Sequence, residues 1–345
     1  MSDVLSSYRR RRRARFATLA AIAAVTFALA LTDITVGSSS LTLKDVFEAL
    51  IQGPDGESRA AFILWEIRLP MTLTCLFVGA SLSLAGLLIQ TITNNPLASP
   101  YTLGVTAGAS FGAAIAITVG FSILGQLWIG TASLALIFAL SVSLLIYYLG
   151  RKQGMSASTV VLIGIIMNFF FQALQQYLQY RASPEIAQII AGWTFGNLQR
   201  ASWVSTAVSS ACWTMCLALA APKVWQLTAL SAGEDRAESL GIKVSSLRLF
   251  IFAVSSLLIA SSVGFIGTVA FVGLIAPHCA KILLGEDHRL LLIGSSLTGC
   301  SLMLAASTVA KLLSEGAALP VGIVTSIVGV PFLFLLLMRT RRMAC

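Results

Sequence analysis

Residues 230–244 read LSAGEDRAESLGIKV, and they interrupt a chain that is strongly apolar on either side. Glu234, Asp235, Arg236 and Glu238 crowd into a turn or two. Ser231 followed by Glu234 has the spacing of a capping box, and Gly241 stands where a helix stop belongs. These signals predict a helix of about nine residues, far short of the roughly 20 that cross a bilayer. The segment therefore reads as a short polar helix joining two membrane spans.

The chain around it supports that reading. Of its 345 residues, 57% are hydrophobic and 11% charged, and the mean hydropathy is +0.88. Soluble domains average about 25% charged residues, so the composition is that of a polytopic membrane protein forming a single transmembrane domain over 1–345. A net charge of +9 raises nucleic acid as a partner, but the cations cluster between apolar runs instead of covering a soluble face. The six cysteines form no CxxC pair and mostly lie inside apolar runs, which points to neither a disulfide framework nor a metal site. No GxxxxGK[ST] phosphate loop is present, so energy for transport has to come from another chain.

Working outward from 230–244, apolar runs long enough to cross fall at 14–32, 71–92, 102–120, 127–149, 157–180, 201–221, 247–265, 267–284, 290–312 and 319–338. Ten spans put both termini on one side. Arg9 to Arg13 and Arg15 precede the first span, and Arg339, Arg341 and Arg342 follow the last, which makes that side cytoplasmic. With this topology 17 of the 23 basic residues are cytoplasmic; Lys44, Arg59, Arg68, Arg181, Arg200 and Lys311 are outside. Residues 1–13 form a basic cytoplasmic tail, and the loop 231–243 is cytoplasmic. An Arg-rich start before an apolar run to Leu31 also fits a cleaved leader with Ala28 and Ala30 as its small-residue site. Its removal would leave nine spans in the same orientation.

Charged residues fall in loops or near span ends, which weighs against an ion-coupled secondary transporter with a titrating group at midplane. The fifth span instead carries amides. Asn168, Gln172, Gln175, Gln176 and Gln179 fall within an arc of roughly 100° on one helix face, with Phe169, Phe170, Leu174 and Leu178 opposite. Such a stripe is costly against lipid, so it faces either another helix or water.

Four separated segments carry a resemblance: RLPMTLTCLFVGASLSLAGLLIQTITNNPLASPYTLGVTAGASFGA at 68–113, GEDRAESLGI at 233–242, GTVAFVGLIAPHCAKILLGEDHR at 267–289 and LPVGIVTSIVGVPFLFLLL at 319–337. In this order they resemble the permease subunits of bacterial ABC importers for iron-siderophore complexes, haem and cobalamin, the FecCD-type family. The resemblance implies an all-α fold of about ten transmembrane helices, the type II ABC importer permease fold, in the bacterial inner membrane. It implies a second permease subunit, two cytoplasmic ATPases that hold the ATP and Mg²⁺, and an extracytoplasmic binding protein. It implies no cofactor on this chain and no catalysis by it. The cargo it implies is a ferric siderophore or related iron complex, with haem or cobalamin as alternatives.

Site residues carry over from the resemblance by position. Ser231, Glu234, Asp235, Arg236, Glu238, Leu240 and Gly241 match the coupling helix that meets the ATPase. Arg68 and Lys311 match basic positions that dock the binding protein. Asn95 and Leu97 match a cytoplasmic gate loop, with Ala157 and Ser158 facing it, and the amides of the fifth span match the translocation pathway. Met71 and Ser307 depart from the family's usual Arg and Asp, leaving the outer mouth less basic than expected. Gly104, Gly108 and Gly112, four apart, are expected to permit close helix approach. His278 is expected to have a structural or gating role and not to ligate haem, and Cys212 and Cys216 are expected to be buried packing residues, not metal ligands.

Overall fold

The computed structural model describes residues 2–37, 41–153, 157–314 and 319–342. Among these there is no β-strand, and the helices run in the order the apolar pattern demands. The N-terminal third holds α1 (Ser2–Thr35), α2 (Leu43–Gln52), α3 (Arg59–Phe62), a π turn (Ile63–Arg68), α4 (Leu69–Ile92) and α5 (Val105–Val119). The middle holds α6 (Leu127–Lys152), α7 (Ala157–Arg181), α8 (Pro184–Thr194), α9 (Trp203–Ala220) and α10 (Val224–Ser231). The remainder holds α11 (Glu234–Ser239), α12 (Val244–Ile266), α13 (Val272–Leu284), α14 (His288–Leu313) and α15 (Val321–Arg342).

Seven helical segments are long and apolar enough to cross a membrane, and three shorter apolar ones join them. Together they fall on the ten expected runs. The hub is α4, continuous with α3 through the π turn, and 83% of its most apolar window is buried. Pro70 explains the π turn: a proline lacks the donor for the carbonyl one turn back, and the helix widens so that Leu69 N–H reaches the Leu64 carbonyl. Around the hub pack α9, α12, α13 and α14. Small residues allow the approach: a Cβ on Gly79 would meet the Gly299 carbonyl at 2.5 Å. Hydroxyl pairs then tie helix to helix, Ser83 with Ser295 at 2.8 Å and Ser143 with Ser256 at 2.7 Å. Gly108 and Gly112 do the same for α5 against α6, where added Cβ atoms would reach Val142 and the Leu134 carbonyl.

Two of the expected spans are shorter than the sequence suggested. The 15 residues of α5 and the 13 of α13 are about 22 and 20 Å long, less than the roughly 30 Å of hydrocarbon. Each begins after a left-handed residue, Gly104 at φ 72° and Phe271 at φ 67°. The backbone before each is irregular, and a carbonyl or amide there needs partners that lipid does not offer. Gly104 presses on the middle of α7, its position leaving 2.6 Å between a notional Cβ and Asn168 N. Only glycine satisfies both the φ and the contact.

Candidate transport pathway and coupling surface

The irregular segments meet the amide stripe. A cleft of about 250 Å³ is lined by Asn168, Gln172, Gln175, Gln176 and Gln179 of α7, together with Tyr101, Thr106, Ala107, Ser110, Thr194 and Thr268. All five expected amides are thus brought to one cavity. Gln175 is buried, Asn168, Gln172 and Gln179 are half-buried and Gln176 is exposed. Gln172 donates to Asn168 Oδ1 at 3.2 Å, and Gln179 to the Ala187 carbonyl at 3.2 Å. The hydroxyl half of the lining was not read from the sequence. Thr106 and Ser110 one turn apart in α5 were the available signal, but only the half-helix geometry turns them toward α7. Among the described residues no charged side chain lines this cleft.

The cleft lies at the edge of an apolar face. Ile165, Ile166, Phe169, Phe170 and Tyr177 are all exposed on α7, beside the amides and not buried against the rest of the chain. Phe169, expected on the face opposite the amides, instead borders them, because at about 100° per residue it falls next to Gln176, whereas Leu174 and Leu178 of that expected face are half-buried.

The residues expected at the gate begin where α4 ends. Asn94 adopts φ 45°, Asn95 N–H bonds the Gln90 carbonyl at 3.2 Å, and Asn95 Oδ1 accepts from Leu97 N–H at 2.9 Å. Leu97 is 38% exposed. Ala157 opens α7 but its side chain lies outside the described residues, and Ser158 beside it is exposed.

The short polar helix exists, with a different start. Ser231 is the last residue of α10, and its hydroxyl bonds the Thr228 carbonyl instead of capping α11. The residue before α11 is Gly233 at φ 122°, with no side-chain cap, so the helix runs six residues, not nine. The capping-box expectation for Ser231 and Glu234 is corrected by where Glu234 points: its carboxylate takes a bidentate pair from Arg248 at 2.8 and 2.9 Å. The stop is as expected. Gly241, at φ 80°, bonds back to the Glu238 carbonyl while Ile242 N–H reaches Ala237, a Schellman ending. Ala237 is fully buried, whereas Asp235, Arg236, Glu238 and Leu240 are exposed.

Arg68 and Lys311 are both turned into the helix bundle. Lys311 Nζ lies 2.8 Å from Asp33 Oδ1 and 2.7 Å from the Asp33 carbonyl, and Arg68 Nη1 donates to the Val36 carbonyl at 2.5 Å. Thr72 completes the cluster, donating to Asp33 Oδ2 at 2.6 Å. Asp33 is fully buried and Arg68 is 5% exposed. Both cations expected to dock the binding protein are thus engaged within the chain, Lys311 by the Asp33 carboxylate and Arg68 by the Val36 carbonyl. Ser307 lies nearby in α14, its hydroxyl buried and without a hydrogen-bond partner among the described residues. His278 packs edge-on to Phe332, and Cys216 packs against α12 through the Val254 carbonyl.

Known proteins place this architecture. An ABC transporter permease protein of Methanocaldococcus jannaschii is 37% identical over 316 residues, 89% of this chain and 90% of that one. A molybdate import system permease protein of Haemophilus influenzae is 34% identical over 81% of this chain and 82% of its own length. The solved structure of a metal-chelate type ABC transporter in an inward-facing conformation superposes with a TM-score of 0.81 at 30% identity, covering 93% of this chain and 98% of that one. Residues 22–339 match the FecCD transport family, and the chain is a multi-pass membrane permease belonging to that family.

Proposed function

We propose that this permease carries a ferric siderophore or related iron complex inward across the cytoplasmic membrane, powered by two ATPase subunits and supplied by an extracytoplasmic binding protein. The observation that carries the cargo assignment is the cleft: amides and hydroxyls, with no charge among the described lining residues, beside an exposed apolar face of α7. A second permease subunit against that face would close the cleft into a channel. Neutral hydrogen-bonding groups let a bulky hydrophilic chelate pass without holding it. A small dianion such as the molybdate of the Haemophilus relative offers less surface to such a lining and gains more from cationic donors.

In the same reading both termini are cytoplasmic, α11 presents Asp235, Arg236, Glu238 and Leu240 to the ATPase, and the turn at Asn95 and Leu97 forms the inner gate with Ala157 and Ser158. The binding protein docks on the outer face, where Arg68 and Lys311 take part only if released from Asp33 and Val36.

Two measurements test this. Single cysteines at 168, 172, 176 and 179, in a background without native cysteines, should react with a membrane-impermeant thiol reagent in at least one transport state, and cysteine at 171 should not. Protection of all five throughout the ATP cycle would make the stripe a packing surface. Uptake of radioactive iron as a hydroxamate or catecholate chelate should depend on this permease, and dependence of molybdate uptake alone would overturn the cargo assignment.

A further inference from the structure

The cytoplasmic end of α4 is a helix terminus whose last carbonyls need donors from outside the helix. Gln90 finds Asn95 N–H, Thr91 finds Asn94 N–H, and Ile92 finds Arg248 Nε at 3.2 Å. That third donor belongs to a side chain from the first turns of α12. The same guanidinium spends its two terminal nitrogens on Glu234, the first residue of α11. One buried side chain, 7% exposed, therefore touches the turn that begins the gate and the start of the short cytoplasmic helix.

Other contacts at this end hold α4 from a different side. Lys281 of α13 reaches Gln90 Oε1 at 3.0 Å, and His288 of α14 meets the Thr91 hydroxyl at 2.8 Å. Of these three cationic or imidazole groups, only Arg248 continues to α11. Gly233 provides no side-chain cap, so the Glu234 carboxylate is the polar side-chain anchor seen at the N-terminus of α11.

We propose that Arg248 is the positioning residue that transmits displacement of α11 to the gate turn at Asn94–Leu97. This rests on the reading of α11 as the ATPase contact. If α11 moves, the bidentate pair draws the guanidinium with it, and the Ile92 carbonyl either follows or is left buried without a donor. Arginine is required by geometry. Its planar fork addresses a carboxylate with two nitrogens and a carbonyl with the third, whereas a lysine ammonium is a single point at the end of a flexible stem.

The test uses the complex reconstituted with its ATPase, carrying Leu97→Cys in a background without native cysteines. Maleimide labelling is timed with and without ATP and vanadate, and ATP hydrolysis is read in parallel. In the parent, nucleotide should change the labelling rate by about fivefold or more. Arg248→Lys, which keeps the charge, should reduce that change to less than about twofold while hydrolysis continues. Should Arg248→Lys fail to accumulate, Glu234→Gln, which keeps the bond to Ile92 and weakens the pair, should show the same loss. An Arg248→Lys complex, or in its place Glu234→Gln, as responsive as its parent overturns the inference alone. A parent whose position 97 ignores nucleotide, or an Asp235→Lys/Glu238→Lys complex that still captures the ATPase, fails the coupling reading itself and the inference with it.

Discussion

Two ion pairs sit at opposite ends of the α4 bundle and are built differently. At the N-terminal end of α4, Asp33, Lys311, Arg68 and Thr72 join α1, α4 and α14, and the paired side chains are 0% and 8% exposed. At the C-terminal end of α4, Arg248 is equally buried at 8%, but Glu234 is 45% exposed and belongs to a six-residue helix. The first pair closes on itself between long spans. The second has one foot in the bundle and one on the surface. A charge pair sealed among spans fixes their positions, whereas one shared with a surface helix can pass on what happens there.

That contrast sets the order of expected effects. Asp33→Ala strands a buried lysine, and breaking a buried pair from one side costs about 3–5 kcal/mol; thermal unfolding in detergent should show the largest drop of any single change here. Asp33→Asn with Lys311→Met should recover most of it, and failure to recover would mean that the cluster's hydrogen bonds to Thr72 matter more than its charge. Glu234→Ala should cost less, roughly 1–3 kcal/mol, because water can replace a half-exposed carboxylate. Equal losses at the two ends would erase the distinction between clamp and lever.

Asp235→Lys with Glu238→Lys should leave stability within about 0.5 kcal/mol, as surface changes usually do. Capture of the ATPase by the same variant should nonetheless fall by roughly tenfold or more, since like charges facing each other at an interface cost several kcal/mol. The smallest effect belongs to α2. Hydrogen bonds from the Thr42 side chain and backbone hold the Asp45 carboxyl below its ordinary 3.8. Its folded pKa being depressed, this capping contribution is present at neutral pH and disappears as pH falls through the lowered value. Hydrogen exchange confined to α2 should quicken there, with the spans unaffected.

Parts of this were legible from the residues alone. Ten apolar runs, a capped-off stop at Gly241 and a 100° arc of amides are periodic or compositional signals, and periodicity is decided by nearest neighbours along one helix. The arc of Asn168 to Gln179 therefore came out with all five members, and the packing role of Gly108 and Gly112 followed from their spacing.

What only the tertiary structure decided were pairings across long sequence separations. Asp33 and Lys311 are 278 residues apart in the chain, and nothing in either local pattern announces the other. Ser231 at the right spacing from Glu234 looked like a cap, but a better partner for Glu234 waited 14 residues on in Arg248. The spans of α5 and α13 were too long in the sequence reading because an apolar run continues through residues whose backbone is not helical. Composition records how much hydrocarbon a segment carries. Whether its carbonyls are satisfied within a helix or by neighbours around a cleft is settled by the neighbours.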